Sequence, residues 1–148
     1  MKYSEGRLGR IFVLRLEPGE RLNDTIEAFA RERRISCAMA IFLGGSGDGS
    51  KVVVGPEAGR GEAIIPMLFT LGGPQEVLAV GTIFPGEAGD PLLHMHAAAG
   101  REGGATVGCT RAGVKVWLVG EVVILEITGA SGVRKKDPAT GFQLLGFE

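Results

Sequence analysis

Both histidines of the chain stand two residues apart, in Pro91-Leu92-Leu93-His94-Met95-His96-Ala97-Ala98-Ala99-Gly100. Side chains alternate along a β-strand, so His94 and His96 share one face while Leu93, Met95 and Ala97 take the other. Two imidazoles side by side can grip one metal ion. A third, softer ligand is available at Cys109, in Val107-Gly108-Cys109-Thr110. Three protein ligands with an open fourth position is the pattern of a catalytic zinc site, whereas four closed ligands make a structural one. In a catalytic site the bound water is acidified toward a pKa of ~7 and serves as nucleophile or base. The charged strand residues to test beside such a metal are Glu76, as a proton-transfer group, and Arg15, as an anion anchor. The residues leave a plainer reading open. His-x-His is a short motif that also fits a half-buried, hydrogen-bonded pair. A lone cysteine also fits a buried apolar position, and Glu76 fits a solvent-exposed carboxylate at a strand end.

The elements that must position these groups follow from periodicity and turn chemistry. Arg10-Ile11-Phe12-Val13-Leu14-Arg15-Leu16 reads as a strand with Phe12, Leu14 and Leu16 on one face and Ile11, Val13 and Arg15 on the other. Glu17-Pro18-Gly19-Glu20 is a turn. One helix is expected, from Arg21 to about Arg33, with Leu22, Ile26, Phe29 and Ala30 as its apolar stripe. Arg31, Arg33 and Arg34 at its end complement the helix dipole, and a solvated helix end accounts for them better than a nucleic-acid contact. The continuous apolar run from Cys37 to Leu43 suits a strand covered on both faces or buried at an interface. Gly44 to Ser50 reads as a flexible loop. It is not a phosphate loop, because no Gly-Lys-Ser/Thr ends it and no helix signal follows.

Further strands are expected at Lys51–Val54, at 63–70 with Pro66 marking an edge or bulge, and at Gln75–Phe84. Pro56 to Gly61 is loop. After the histidine strand, Arg101-Glu102-Gly103-Gly104 reads as a hairpin turn, returning Ala105 to Cys109 antiparallel. That return could bring Cys109 near the histidines. Val114–Val119 and Glu121–Ile127 read as two more strands. Lys135 to Gly141 reads as a polar turn and Phe142 to Phe147 as a final strand or docked tail. One helix among seven to nine strands joined by tight turns favours an α+β fold with a mostly antiparallel sheet.

Composition narrows the function. With 148 residues the chain suits one domain, 1–148, large enough for a core without staples. The net charge is −1, without the basic surplus usual in phosphate-backbone binders. Two cysteines, Cys37 and Cys109, imply no disulfide framework. The N-terminus lacks an apolar signal core, and no apolar run reaches the ~18–20 residues that span a bilayer. A cytoplasmic protein with no membrane partner is expected.

Taken together, the segments resemble a stand-alone PPC domain, the plant-and-prokaryote-conserved domain that in plants follows AT-hook DNA-binding motifs. Val13 to Glu20 is similar to the family's opening strand and its turn into the helix. Glu76-Val77-Leu78-Ala79-Val80-Gly81-Thr82-Ile83 resembles its strand ending in Gly-Thr. Leu93-His94-Met95-His96 resembles its His-x-His strand, and Val107-Gly108-Cys109 its following Gly-Gly-His. The resemblance implies a homotrimer, and zinc as the cofactor held by His94, His96 and, in place of the later histidine, Cys109. The AT-hook core Arg-Gly-Arg-Pro is absent; Gly6-Arg7-Leu8-Gly9-Arg10 does not supply it, which counts against minor-groove binding. Three roles follow as expectations: a zinc-type site in a trimer, a non-enzymatic assembly or DNA-associated module, and a metal-free pocket for a small molecule.

Overall fold

The computed structural model of the chain describes residues 1–57 and 64–147. In order it contains β1 (Arg7–Leu16), α1 (Leu22–Glu32), β2 (Ala38–Ser46), β3 (Lys51–Pro56) and β4 (Pro66–Thr70). There follow β5 (Gln75–Pro85), β6 (Pro91–Arg101), β7 (Gly104–Cys109), a 3-10 turn (Thr110–Ala112), β8 (Val116–Thr128), β9 (Val133–Lys136) and β10 (Gln143–Gly146). Eight strands form one sheet in the order β1-β8-β2-β5-β6-β7-β3-β4, every pairing antiparallel, and β9 and β10 form a separate hairpin. The architecture is the α+β arrangement expected from the sequence, with Pro66 on the edge strand β4. Most of the loop read over 56–61, and the start of the strand read from residue 63, lie outside the described residues.

One face of the sheet builds the core. Ala38, Ala40 and Phe42 of β2, Ala79 and Ile83 of β5, Met95 and Ala97 of β6, and Val122 and Ile124 of β8 are buried there. The helix adds Leu22, Ile26 and Ala30, each fully buried, as its apolar stripe requires. Burying Leu22 and Ile26 stabilises the fold by ~1.5–3 kcal/mol each. Phe29 meets Phe12 of β1 edge to face, with ring centroids 5.3 Å apart. The opposite face of the sheet is apolar too but bare: Ile11 and Val13 on β1, Leu43 on β2, Leu78 and Val80 on β5, and Val107 on β7 are exposed.

Ten strands stand among the described residues against the seven to nine expected, because Val133–Lys136 pairs with β10 where the sequence reads Lys135 and Lys136 as a turn. Three further details differ from the periodicity reading, each for a local reason. The two strands read on either side of Gly120 are one, β8. Its register against β2 jumps from Gly44↔Gly120 to Gly45↔Trp117, so Leu118 and Val119 form a bulge, with Leu118 at φ +56°. Glycine here marks a bulge and not a turn. Gly44 and Gly45 extend β2 instead of opening a loop. A Cβ on Gly44 would collide with the Val119 carbonyl, and one on Gly45 would stand 2.7 Å from the Trp117 carbonyl oxygen, so glycine permits this close pairing. Finally, β1 starts at Arg7, earlier than read. Arg10 forks onto Glu126 of β8, Nε and Nη2 each donating at 2.7 Å, and its backbone N–H donates to the same carboxylate at 3.0 Å. This triple contact lowers the Glu126 pKa to about 2, with the Arg10 side-chain bonds the largest cause.

Candidate metal centre

β6 is held in place from both edges. On one edge its full length pairs with β5, Thr82 opposite His94 and Val80 opposite His96. On the other, β7 pairs only with His96 to Arg101. The turn between them is the hairpin expected from the sequence, with Glu102 at φ +54° and Gly103 at φ +82°. Two consecutive residues with positive φ match the type I′ turn that suits twisted strands. The unpaired stretch before His96 is met by side chains. Glu27 of α1 accepts from the Leu93 N–H at 2.8 Å, Asn23 donates to the Leu93 carbonyl at 3.3 Å, and Thr110 donates to the Met95 carbonyl at 3.2 Å. Glu27 therefore does more than solvate the helix. Burial raises its pKa, and the Leu93 N–H opposes that rise.

This frame sets the site. Met95 points inward and is fully buried, opposite Gly81, where a Cβ would stand 2.6 Å from the Met95 Cβ. His94 and His96 point outward, as the alternation requires. Their Nε2 atoms lie 3.1 Å apart. Cys109 is the cross-strand partner of His96, at the point where β7 ends, and also pairs with Val53 of β3. Directly opposed residues project from the same face with Cβ atoms ~4.5–5.5 Å apart. One ligand atom from each of His94, His96 and Cys109 lies within 4.8 Å of the other two. The antiparallel return expected from the sequence therefore brings the sulfur to the imidazoles.

The donor set suits a transition metal. At zinc bond lengths of 2.0–2.1 Å to nitrogen and 2.3 Å to sulfur, a tetrahedral site needs N···N and N···S separations of ~3.3 and ~3.6 Å. The imidazole pair, at 3.1 Å, stands close to the first of these, and the sulfur lies within 4.8 Å of both rings' ligand atoms. The neutral form of His94 is favoured: burial, then the positive charges of Arg134, His96 and Arg111, push its pKa below the ordinary imidazole value. Neutral imidazole is the form that ligates.

The other two residues singled out from the sequence lie elsewhere in this chain. Glu76 faces Gly100, four positions along β5 from the partner of His96, which at the strand rise is ~13 Å away. It is exposed and borders a groove with Leu43, Trp117 and Glu121. Arg15 is exposed on β1, opposite Glu121, with its Nη2 3.4 Å from Glu17. Sequence reasoning missed two polar groups beside the cluster. Thr82 is the cross-strand neighbour of His94, and Arg134 of β9 donates to its hydroxyl at 2.8 Å. Arg134 sits in a run of basic residues that reads as surface, and only the docking of the β9–β10 hairpin against β5 reveals it.

Among the described residues no helix is long and apolar enough to cross a membrane. No match is found among proteins of curated function. Two crystal structures share the fold over nearly the whole of both chains. A metal-containing protein from Archaeoglobus fulgidus is 27% identical, with a TM-score of 0.82 and coverage of 97% of this chain and 98% of its own. A plant- and prokaryote-conserved protein from Pyrococcus horikoshii is 24% identical, with a TM-score of 0.84 and coverage of 99% and 97%. The model of the Plants and Prokaryotes Conserved (PCC) domain matches residues 3–128. Thr82 of β5, His94 and His96 of β6 and Cys109 of β7 share one sheet face within that span, and the chain belongs to the PCC domain family.

Proposed function

We propose that this chain binds a zinc-type metal ion through His94, His96 and Cys109 and works as a self-associated PCC-domain protein. The observation that carries the reading is the convergence of the two imidazoles and the sulfur within 4.8 Å on one sheet face. That a 27% identical relative of the same fold is itself metal-containing supports it. Two neutral imidazoles and a thiolate would hold the ion and leave a position for water or a small ligand. The metal would supply Lewis acidity there, polarising whatever occupies that position. The protein's own part is to fix ring orientation through β6, whose neighbours Leu93 and Met95 are tied to α1 and Thr110.

Elemental analysis of protein purified without chelators tests this. About one equivalent of zinc per chain is expected for a site of this donor type; less than about one tenth of an equivalent of any transition metal would remove the metal from the reading.

The bare outer face supports the second half of the proposal. Ile11, Val13, Leu43, Leu78, Val80 and Val107 form an apolar surface that water covers at a cost. A homotrimer, as the family resemblance implies, would cover part of it. Light scattering is expected to give three times the chain mass, and a monomer at micromolar concentration would overturn this part.

A further inference from the structure

Arg134 is 5% exposed, yet among the described residues no carboxylate faces it. A buried guanidinium without a counter-charge is costly and uncommon. Its hydrogen bonds both leave from Nη2, to the Thr82 carbonyl at 3.2 Å and the Thr82 hydroxyl at 2.8 Å. Among the described residues Nε is buried without a hydrogen-bond partner. The guanidinium lies over the Phe84 ring, 5.8 Å from its centroid, so its rear is covered by an aromatic face. The β9 backbone is fixed beside β5 by a bridge between Gly86 and Arg134, and beside β10 by the pairing of Arg134 with Leu145. The side chain is thus built into the structure.

Its place is beside the cluster. Thr82, which it grips, is the direct cross-strand neighbour of His94. A divalent ion held by two neutral imidazoles and one thiolate keeps a net positive charge, and the guanidinium adds to it. No ion pair among the described residues involves Arg134 or the three cluster residues. Packing against Phe84 alone would be served by methionine, with no buried charge and no orphaned N–H.

We propose that Arg134 anchors a small oxyanion, phosphate or carboxylate, whose other oxygen takes the open position at the metal. A planar guanidinium offers paired donors matched to two oxygens of one such group. The anion would offset the surplus charge and complete the coordination. The inference rests on the metal-centre reading and names the ligand class of that same site.

Cobalt(II)-substituted protein, whose visible bands report coordination, tests both parts separately. Cobalt content is measured first, and inorganic phosphate and oxalate are then titrated in turn. Saturable band changes below about 10 mM are expected for at least one of them, and Arg134→Gln should weaken the response at least about tenfold at unchanged cobalt content. Arg134→Lys, which keeps the charge but loses the fork, should fall between the two. A response to phosphate alone, or to oxalate alone, supports the proposal and identifies the oxyanion. Wild type that holds cobalt but responds to neither anion would overturn the inference and leave the metal centre standing, and this arm needs no variant to fold. An equal response in Arg134→Gln would also overturn it, as would a variant changed only in oligomeric state. Wild type that holds no cobalt would overturn the metal centre and the inference together.

Discussion

On the inner side of β2, Ala38, Ala40 and Phe42 are fully buried; on the outer side of the same strand, Leu43 is 57% exposed and Met39 and Ile41 are only half-covered. β5 repeats the pattern, with Val77, Ala79 and Ile83 inside and Leu78 and Val80 outside. Both faces are apolar, but only one has a helix and a closed core against it. The inner face therefore accounts for folding. The outer face carries the histidines, the cysteine and an uncovered apolar surface, which a chain acting alone in water has no reason to maintain. On the proposed reading, stability and function lie on opposite sides of the same strands.

Substitutions on the two faces should separate cleanly. The largest effect is expected from Phe42→Ala, which leaves a void in the core and should cost about 3–5 kcal/mol in denaturant unfolding. If the loss were below about 1 kcal/mol, the inner face would not be the close-packed side. Next comes Val13→Asp on the outer face. On an isolated chain a surface change of this kind shifts stability by less than about 0.5 kcal/mol. In an assembly that covers β1 it should drive the protein to monomers in sedimentation; unchanged mass would place β1 outside the contact. His96→Ala should lower bound metal from about one equivalent to below about one tenth, while the metal-free protein unfolds within about 0.5 kcal/mol of wild type. Full metal retention would show that the cluster is not the binding site.

The smallest effect concerns acid stability. The folded-state pKa of Glu126 is depressed to about 2 by its fork with Arg10. Its contribution is therefore present above the ordinary carboxylate pKa and lost as pH falls from about 4.5 toward 2. The stability difference between wild type and Glu126→Gln should shrink across that window. A difference that stays constant would mean the carboxylate is unpaired in solution. With a net charge of −1, no retardation of DNA is expected even at ~50 mM salt, where phosphate contacts are strongest; a retarded band would restore DNA as a partner.

Much of this division was legible in the residues. Alternation placed His94 and His96 opposite Met95, and the Arg101–Gly104 turn sent Cys109 back toward them. The helix followed from Leu22, Ile26 and Ala30. What the residues concealed depends on three-dimensional contact. Gly120 signals a turn by type, but the close approach of Gly44 to Val119 makes it the end of a bulge in one long strand. The run Cys37 to Leu43 reads as covered on both sides or buried at an interface; within one chain its outer side is bare at Leu43, so the chain alone does not choose between them. Arg134 looks like one of several basic residues near the end of the chain. Its burial exists only because the β9–β10 hairpin folds back onto Thr82 and Phe84.

The side chains that occupy the free backbone groups of β6 near Leu93 and Met95 have a further effect. A strand with open donors and acceptors can template the addition of another strand, the route by which sheets aggregate. Glu27, Asn23 and Thr110 close that route along the stretch leading into the histidines. Copies of this chain that met near the proposed metal site would do so broadside, side chain against side chain, and not by extending the sheet along this stretch of β6.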